Sequence, residues 1–178
     1  MRRHPLLATL GVLGVMVVVV FGGYVVAGAL SQPAGPPVTV AGVVRVSPLS
    51  GWEVAERSAE PPSVRLTRGS GNLDVMVLPF SGTPEELAGD YVEQVLRPQA
   101  DRLEVSQRVQ VVRVGDRSGV RVAYIGVFRG VQFQIEGEVT AVVSSSGEGV
   151  IFDGWAPAGL LQYAMGDLDT MIDTARIR

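Results

Sequence analysis

The pattern of hydrophobic and polar residues divides the chain into two very different parts. Residues 6–30 contain no charged residue, whereas the rest of the chain mixes apolar and polar residues at short intervals. Twenty-five residues that rise about 1.5 Å each span about 37 Å as a helix, more than the ~30 Å hydrocarbon core of a bilayer. The sequence therefore predicts a transmembrane helix over residues 6–30, with the lipid bilayer as its partner.

The charges on either side of this segment predict its orientation. Arg2 and Arg3 precede it within a short stub, residues 1–5, and the next charged residue after it is Arg45. Because basic residues stay on the cytoplasmic side, we expect a single-pass protein of the cell membrane with a cytoplasmic N-terminus and an extracytoplasmic C-terminal domain. The small residues at 27–29 also fit a signal-peptide cleavage site. The apolar run is longer than the about 7–15 residues of a signal peptide, which favours an uncleaved anchor.

After a Pro- and Gly-rich linker over residues 31–37, the pattern becomes that of one folded domain over residues 38–178. Segments with alternating hydrophobicity flank a Gly-Ser-Gly turn and predict a β-hairpin over residues 63–77. Residues 56–63 are mostly polar and predict a loop. Short turns between later strands indicate consecutive antiparallel hairpins. These strands are predicted over residues 109–114, 119–128, 131–143 and 149–156.

Two helices are predicted within the domain. Thr83 suits an N-cap, a proline follows at the first helical position, and Glu86 completes a capping box. An apolar stripe at helical spacing continues from there until Pro98 disturbs it, and we expect the helix to fray or restart through Leu103. A second amphipathic helix is predicted from Ala158 towards the C-terminus.

Several short phrases of the domain resemble the PsbP-like α/β/α sandwich. They are Gly51–Val54, Val111–Gly115 with Gly119–Arg121, Glu136–Glu138 and Met171–Thr174. This fold occurs in a photosystem extrinsic protein, a nuclear transport factor and bacterial cell-envelope lipoproteins. The resemblance implies an α+β fold, in which a single α/β/α sandwich domain with a mainly antiparallel sheet follows the transmembrane helix. It also implies a binding or scaffold role, because members of this fold mostly bind or scaffold.

The composition excludes several kinds of catalytic and binding site. There is no Cys and no Lys, and the single His is His4 in the stub. The domain therefore cannot form a Ser-His-Asp triad, a Cys nucleophile, a P-loop, a Schiff-base lysine or a His/Cys metal site. Beyond the apolar segment, 13 Arg against 18 Asp and Glu leave a charge of −5, which disfavours nucleic acid as a partner. We expect no catalytic residue, no metal site and no cofactor.

One predicted strand, residues 131–143, carries an unusual polar stripe. Alternation places five polar side chains on one face of this strand: Gln132, Gln134, Glu136, Glu138 and Thr140. Either this face is exposed to solvent, which we prefer, or the stripe lines a groove and binds a ligand. The two glutamates would also suit a general acid/base pair or a hard-cation site, although a solvated sheet face is the commoner explanation. We take the five polar residues as the candidate ligand-binding site.

The sequence thus predicts a non-catalytic, membrane-anchored binding or scaffold module of the bacterial cell envelope. Its partner would be an unknown envelope protein or ligand. The alternative is a carboxylate-based hydrolase that acts on envelope glycans, which requires two carboxylates that face each other across a cleft. A receptor that signals inward is disfavoured, because the short cytoplasmic stub offers no domain to receive a signal.

Overall fold

The computed structural model describes residues 35–178. The stub, the predicted transmembrane helix and most of the linker lie outside the described residues. Within residues 35–178, no helix combines the length and the apolar composition that a membrane crossing requires.

Two sheets form the framework of the described residues. The smaller one consists of β1 (Val38–Val40), β2 (Val44–Val46) and the C-terminal β11 (Arg176–Ile177), with β2 in the middle. The main sheet is antiparallel and contains β3 (Glu53–Ala59), β4 (Pro62–Arg68), β5 (Gly71–Pro79), β6 (Ala100–Val105), β7 (Gln110–Val114), β8 (Arg117–Phe128), β9 (Gln134–Val143) and β10 (Glu148–Pro157). Its order is β3-β4-β5-β10-β9-β8-β6, and β7 also pairs with β8. The hairpin predicted over residues 63–77 is confirmed as β4 and β5.

The first helix begins where the sequence predicts. Helix α1 (Pro84–Tyr91) starts with the predicted capping box, in which the Thr83 hydroxyl accepts a hydrogen bond from the Glu86 amide at 3.2 Å and the Glu86 carboxylate accepts one from the Thr83 amide at 2.9 Å. The chain then continues as a π-helical turn (Val92–Leu96) and a short helix α2 (Arg97–Gln99). The predicted helical restart through Leu103 is wrong, because residues Ala100–Val105 form strand β6, which pairs with β8.

Three predicted boundaries also differ from the structure. Residues 56–63, predicted as a loop, form the second half of the exposed edge strand β3, a tight turn and the start of β4. Strand β9 starts at Gln134 rather than at residue 131, because a turn with a left-handed Gly130 (φ +79°) precedes it. The C-terminal helix α3 (Met165–Asp173) follows a 3₁₀ turn (Leu161–Tyr163) and does not begin at residue 158.

The main sheet is covered on both faces, so the order of layers is that of the predicted sandwich. We call the side packed against α1 and the π turn the α1 face, and the side packed against α3 and the small sheet the α3 face. The core of the α1 face includes Leu87, Tyr91, Val92, Leu96, Val122, Tyr124, Val139, Ala141 and Ile151. The core of the α3 face includes Val40, Val46, Leu66, Leu73, Val75, Phe152, Leu168, Met171 and Ile172.

Candidate functional site

A cavity of about 380 Å³ lies on the α1 face. Helix α1 packs over β8, β9 and β10, and at about 1.5 Å per residue its eight residues are too short to cover the wide sheet completely. The cavity lies where this cover ends, and the π turn contributes Val95 and Leu96 to its wall. The volume is within the range of small-molecule sites, and π turns occur frequently at functional sites.

A buried carboxylate forms the floor of the cavity. Asp153 projects from β10 on the α1 face and is only 3% exposed. The hydroxyl of Tyr91, at the end of α1, donates a hydrogen bond to one oxygen of Asp153 at 2.9 Å. The hydroxyl of Tyr124, on β8, donates to the other oxygen at 2.9 Å. The helix and the sheet therefore meet at this carboxylate.

A second carboxylate stands directly opposite the first. Asp74 on β5 is the cross-strand partner of Asp153, and side chains in such pairs have Cβ atoms about 4.5–5.5 Å apart. The guanidinium of Arg65 donates two hydrogen bonds to Asp74, at 2.7 and 3.2 Å. The indole N–H of Trp155 donates a third, at 2.9 Å.

Arg65 extends this network towards the rim of the cavity. Its remaining terminal nitrogen donates to Glu56 on the edge strand β3 at 3.1 Å. Its guanidinium carbon also lies 5.7 Å from the centre of the Trp155 ring, a distance suited to a cation–π contact. The pKa of Arg65 is raised, mainly by its hydrogen bond to Asp74.

The environment of Asp153 changes its acidity. Burial, together with the negative charge of Asp74, raises the pKa of Asp153 to about 7, although the tyrosine hydrogen bonds and the charge of Arg65 act in the opposite direction. Burial and the nearby Asp153 also raise the pKa of Tyr91 and of Tyr124. Both tyrosines therefore remain neutral hydrogen-bond donors near pH 7.

These side chains are suited to binding and to proton exchange. The two carboxylates could accept hydrogen bonds or a positive charge from a ligand, and the apolar wall of the cavity could contact its body. Phe128, Val131 and Ile135 belong to this wall. Within residues 35–178, no group of three or more acidic, His or Cys side chains has an arrangement that could hold a metal ion.

The structure places the residues of the predicted polar stripe in three different settings on the other side of β9. Gln132 and Gln134 are exposed at the start of the strand. Glu136 accepts hydrogen bonds from the amides of Gly159 and Leu161, at 2.8 and 2.9 Å, and so holds the loop that leads to α3.

The last two residues of the stripe, Glu138 and Thr140, lie beneath α3. Thr140 is fully buried and accepts a hydrogen bond from Arg121 at 3.1 Å. Arg121 also forms ion pairs with Glu138 at 3.4 Å and with Asp169 of α3 at 2.7 Å. Burial raises the pKa of Glu138, against the lowering effect of Arg121. The stripe is therefore not a continuous exposed surface. None of its five residues lines the cavity on the α1 face, but Glu136 and Glu138 line a separate depression of about 470 Å³. Ligand binding by these residues stays a prediction.

Sequence reasoning missed the residues that form the floor of the cavity. They are Arg65, Asp74, Tyr91, Tyr124 and Asp153. A signal was present in β10, where Asp153 interrupts an otherwise apolar run and shares its face with buried Ile151. The same signal occurs in β5, where Asp74 stands between Leu73 and Val75. A charged residue within an apolar strand indicates either a buried network or a site.

The sequence matches no protein-family model and no curated protein. Solved structures do match, at low identity. PsbP of the cyanobacterium Synechocystis sp. PCC 6803 (CyanoP) has a TM-score of 0.55 at 12% identity over 83% of this chain and 96% of its own. The Ran-binding protein Mog1p of Saccharomyces cerevisiae has a TM-score of 0.58 at 11% identity over 82% of this chain and 96% of its own.

A mycobacterial protein has the same architecture. LpqN of Mycobacterium tuberculosis, described as involved in cell envelope biogenesis, has a TM-score of 0.54 at 11% identity over 81% of this chain and 85% of its own. These similarities confirm the fold that the short sequence phrases predict. The domain has the PsbP/Mog1-like α+β fold.

Proposed function

We propose that the protein is a membrane-anchored binding module of the bacterial cell envelope, and that its extracytoplasmic domain captures a small ligand in the cavity on the α1 face. The observation that carries this proposal is a cavity of about 380 Å³ with an apolar wall and a floor of two hydrogen-bonded carboxylates, the buried Asp153 and the partly buried Asp74. Ligand pockets combine a mainly apolar lining with a few fixed polar groups in this way.

The anchor and the location rest on the sequence. The uncharged segment over residues 6–30 is long enough to cross a bilayer, and Arg2 and Arg3 favour an extracytoplasmic domain. The fold is compatible with this location, since LpqN, described as involved in cell envelope biogenesis, shares it. Protease added to intact, wall-stripped cells should digest the domain. Protection of the domain, or a mature N-terminus near residue 30, would contradict the anchored topology.

A non-catalytic role fits the chemistry of the cavity best. Tyr91 and Tyr124 donate hydrogen bonds to Asp153, and their raised pKa values keep both hydroxyls protonated near pH 7, so neither is an ionised nucleophile. Asp74 is likewise held by Arg65 and Trp155. These bonds fix the orientation of polar groups, which is a requirement for selective binding.

Obstruction of the cavity tests the binding function. Val131 lies in the wall outside regular strand structure, and Val131→Trp should fill part of the space. Val111 is 77% exposed on β7, away from the cavity, and Val111→Trp is the matched control. Small molecules that co-purify with the full-length protein from its native membrane should be identified by mass spectrometry. We expect them to be lost from Val131→Trp and retained in Val111→Trp. Equal retention in both variants, or no co-purifying species in the unmodified protein, would count against the proposal.

One observation favours the alternative of a glycan hydrolase. Asp74 and Asp153 are paired across adjacent strands, and the pKa of Asp153 is raised to about 7, as a general acid beside a partner carboxylate requires. However, both oxygens of Asp153 are occupied by tyrosine hydroxyls and the residue is almost completely buried. Turnover of chromogenic glycosides that is abolished by Asp153→Asn would establish the hydrolase instead.

A further inference from the structure

Most side-chain hydrogen-bond donors on the cavity floor already have acceptors, whereas several acceptors keep free lone pairs. Tyr91, Tyr124 and Trp155 have one side-chain donor each, and all three donors are directed at the two aspartates. Arg65 directs three of its N–H groups at Asp74 and Glu56. The tyrosine oxygens and the carboxylates retain free lone pairs. The floor therefore offers mainly acceptors, and a matching ligand must supply hydrogen-bond donors.

The charge of the cavity floor also favours a ligand that supplies hydrogen-bond donors. Two carboxylates of the inner part, those of Asp74 and Asp153, share a single guanidinium, that of Arg65. The other charged groups of the lining, Glu56 and Arg129, are largely exposed at the rim. When Asp153 is ionised, the inner part of the cavity therefore has an excess of negative charge, which favours a cation over an anion.

The walls provide surfaces that attract an organic cation. Four aromatic rings line the cavity: Tyr91, Tyr124, Phe128 and Trp155. The face of an aromatic ring attracts an ammonium group, and the attraction strengthens where water is excluded. Aliphatic side chains such as Val95 and Ile135 complete the lining and suit an apolar body attached to that group.

We infer that the cavity binds a small organic ammonium ion, an amine with an aryl or alkyl body, with its charged head directed at the Asp74–Asp153 pair. This inference rests on the proposed binding function and specifies the class of ligand. It excludes carboxylates and phosphates as preferred ligands, because their acceptor oxygens would meet the acceptors of the floor.

Binding of a cation should displace a proton from the floor. The groups that face Asp153 are Asp74 of β5, Arg65 of β4, Tyr91 of α1 and Tyr124 of β8, and β9 contributes only uncharged residues beside it. A bound ammonium favours the ionised carboxylate of Asp153. Because the pKa of Asp153 is raised to about 7, the affinity for the amine should increase as the pH rises through that region, with release of a proton.

Three probes that differ mainly in the head group test the inference. Phenethylamine, phenethyl alcohol and hydrocinnamate are titrated calorimetrically into the full-length protein in detergent. We expect the amine to bind about tenfold or more tightly than the other two, because its hydrogen bonds to the floor are charge-assisted. Its binding enthalpy should depend on the ionisation enthalpy of the buffer, which reports the released proton without any mutation.

Two variants locate the head group of the bound amine. Asp153→Asn and Asp74→Asn should each weaken amine binding about tenfold. Glu148→Gln is the matched control, because Glu148 also belongs to β10 but lies outside the cavity and is bound by Ser144 and Ser146. It should leave amine binding unchanged.

The outcomes separate this inference from the proposed function. Equal or tighter binding of the alcohol or the carboxylate at the cavity overturns the cation inference and leaves a binding module. Failure of all three probes also overturns the cation inference, and the loss or retention of co-purifying ligand in Val131→Trp then decides the proposed function separately. Amine binding without proton release, or unaffected by both aspartate substitutions, places the ammonium away from the Asp74–Asp153 pair and contradicts the inference.

Discussion

Both faces of the main sheet hold carboxylates beneath a helix, yet the two clusters enclose different amounts of empty space. On the α3 face, the space between Arg121, Glu138 and Asp169 is only about 10 Å³, although Glu136 and Glu138 also line a separate depression of about 470 Å³. On the α1 face, the region around Asp74 and Asp153 opens into a cavity of about 380 Å³. Buried charge alone therefore does not indicate a site, and the space around it has to be considered.

The two networks also differ in how their charges are balanced. Arg121 contacts both Glu138 and Asp169, so the acidic groups beneath α3 have a basic partner within 3.4 Å. Asp153 has only tyrosine hydroxyls as hydrogen-bond partners. Both arrangements connect a helix to the sheet, but the second leaves a carboxylate without a basic hydrogen-bond partner, and a cationic ligand can neutralise its charge when it is ionised.

The largest predicted effect is a loss of stability as the pH rises, which arises from the carboxyl group of Asp153. The pKa of Asp153 is about 7 in the folded protein against an ordinary value of 3.8. The folded state therefore holds a proton that the unfolded state has lost, and the stability from this proton is complete below pH 3.8 and is lost as the pH rises through about 7. Between pH 5 and pH 8 the free energy of unfolding should fall by roughly 3 kcal/mol from this group.

Asp153→Asn provides the control for this pH effect. The amide has nearly the same shape and cannot ionise, so denaturation curves of the variant at the two pH values should lie much closer together. Tryptophan fluorescence reports on the folded domain, because Trp52 and Trp155 both belong to it. An unchanged pH dependence in the variant would show that Asp153 does not hold this proton.

The second prediction concerns the balanced network of the α3 face. Arg121→Met removes the partner of Glu138 and Asp169 and should lower the free energy of unfolding by about 2 kcal/mol. This is less than the about 3–5 kcal/mol expected for a fully buried pair, since Asp169 remains 43% exposed. Adding Glu138→Gln should recover part of the loss. Ligand binding at the α1 face should not change, and a large change would mean that the two faces are coupled.

Two tryptophans, one on each face of the main sheet, allow the two networks to be compared directly. Trp52 donates to Asp167 at 2.8 Å on the α3 face, and Trp155 donates to Asp74 at 2.9 Å on the α1 face. Replacement of either by Phe removes the donor and keeps an aromatic ring, so each variant should lose about 1–2 kcal/mol of stability. Only Trp155→Phe should also change ligand affinity. Equal effects of both variants on ligand affinity would remove the distinction between the faces.

The smallest effect is expected at the start of α1. Thr83→Ala removes the hydroxyl that caps the Glu86 amide and should lower the free energy of unfolding by about 1 kcal/mol. Thr174 also lies at a helix end, where its hydroxyl donates to the Thr170 carbonyl, and Thr174→Ala serves as a comparison. Denaturant midpoints measure both. A Thr83→Ala midpoint equal to that of the unmodified protein would mean that the cap contributes nothing to stability.

The parts of the fold that the sequence predicts correctly have strong local signals. The hairpin of β4 and β5 surrounds a Gly-rich turn, and the capping box at Thr83 lies within four consecutive residues. The later part of strand β3, from Glu56 onwards, is predicted as a loop because its residues are exposed and mainly polar. Strand β3 forms its backbone hydrogen bonds with β4, and the local sequence pattern does not reveal this pairing.

The candidate site could not be predicted for a different reason. Arg65, Asp74, Tyr91, Tyr124 and Asp153 come from five separate elements and meet only through the strand order and the position of α1. The polar stripe of β9 was correctly assigned to one face, but alternation does not identify the element that covers that face. Helix α3, through Asp169, and the loop at Gly159 provide that cover.

The location of ligand binding is tested most directly by photoaffinity labelling. An aryl amine that carries a diazirine is irradiated with the full-length protein, and the labelled residues are identified by mass spectrometry. We expect labels on the cavity wall, in residues 91–99 and 124–135, that an excess of phenethylamine suppresses. Labels confined to the polar stripe and α3, within residues 136–140 and 165–173, or spread evenly over the surface, would contradict a binding site on the α1 face.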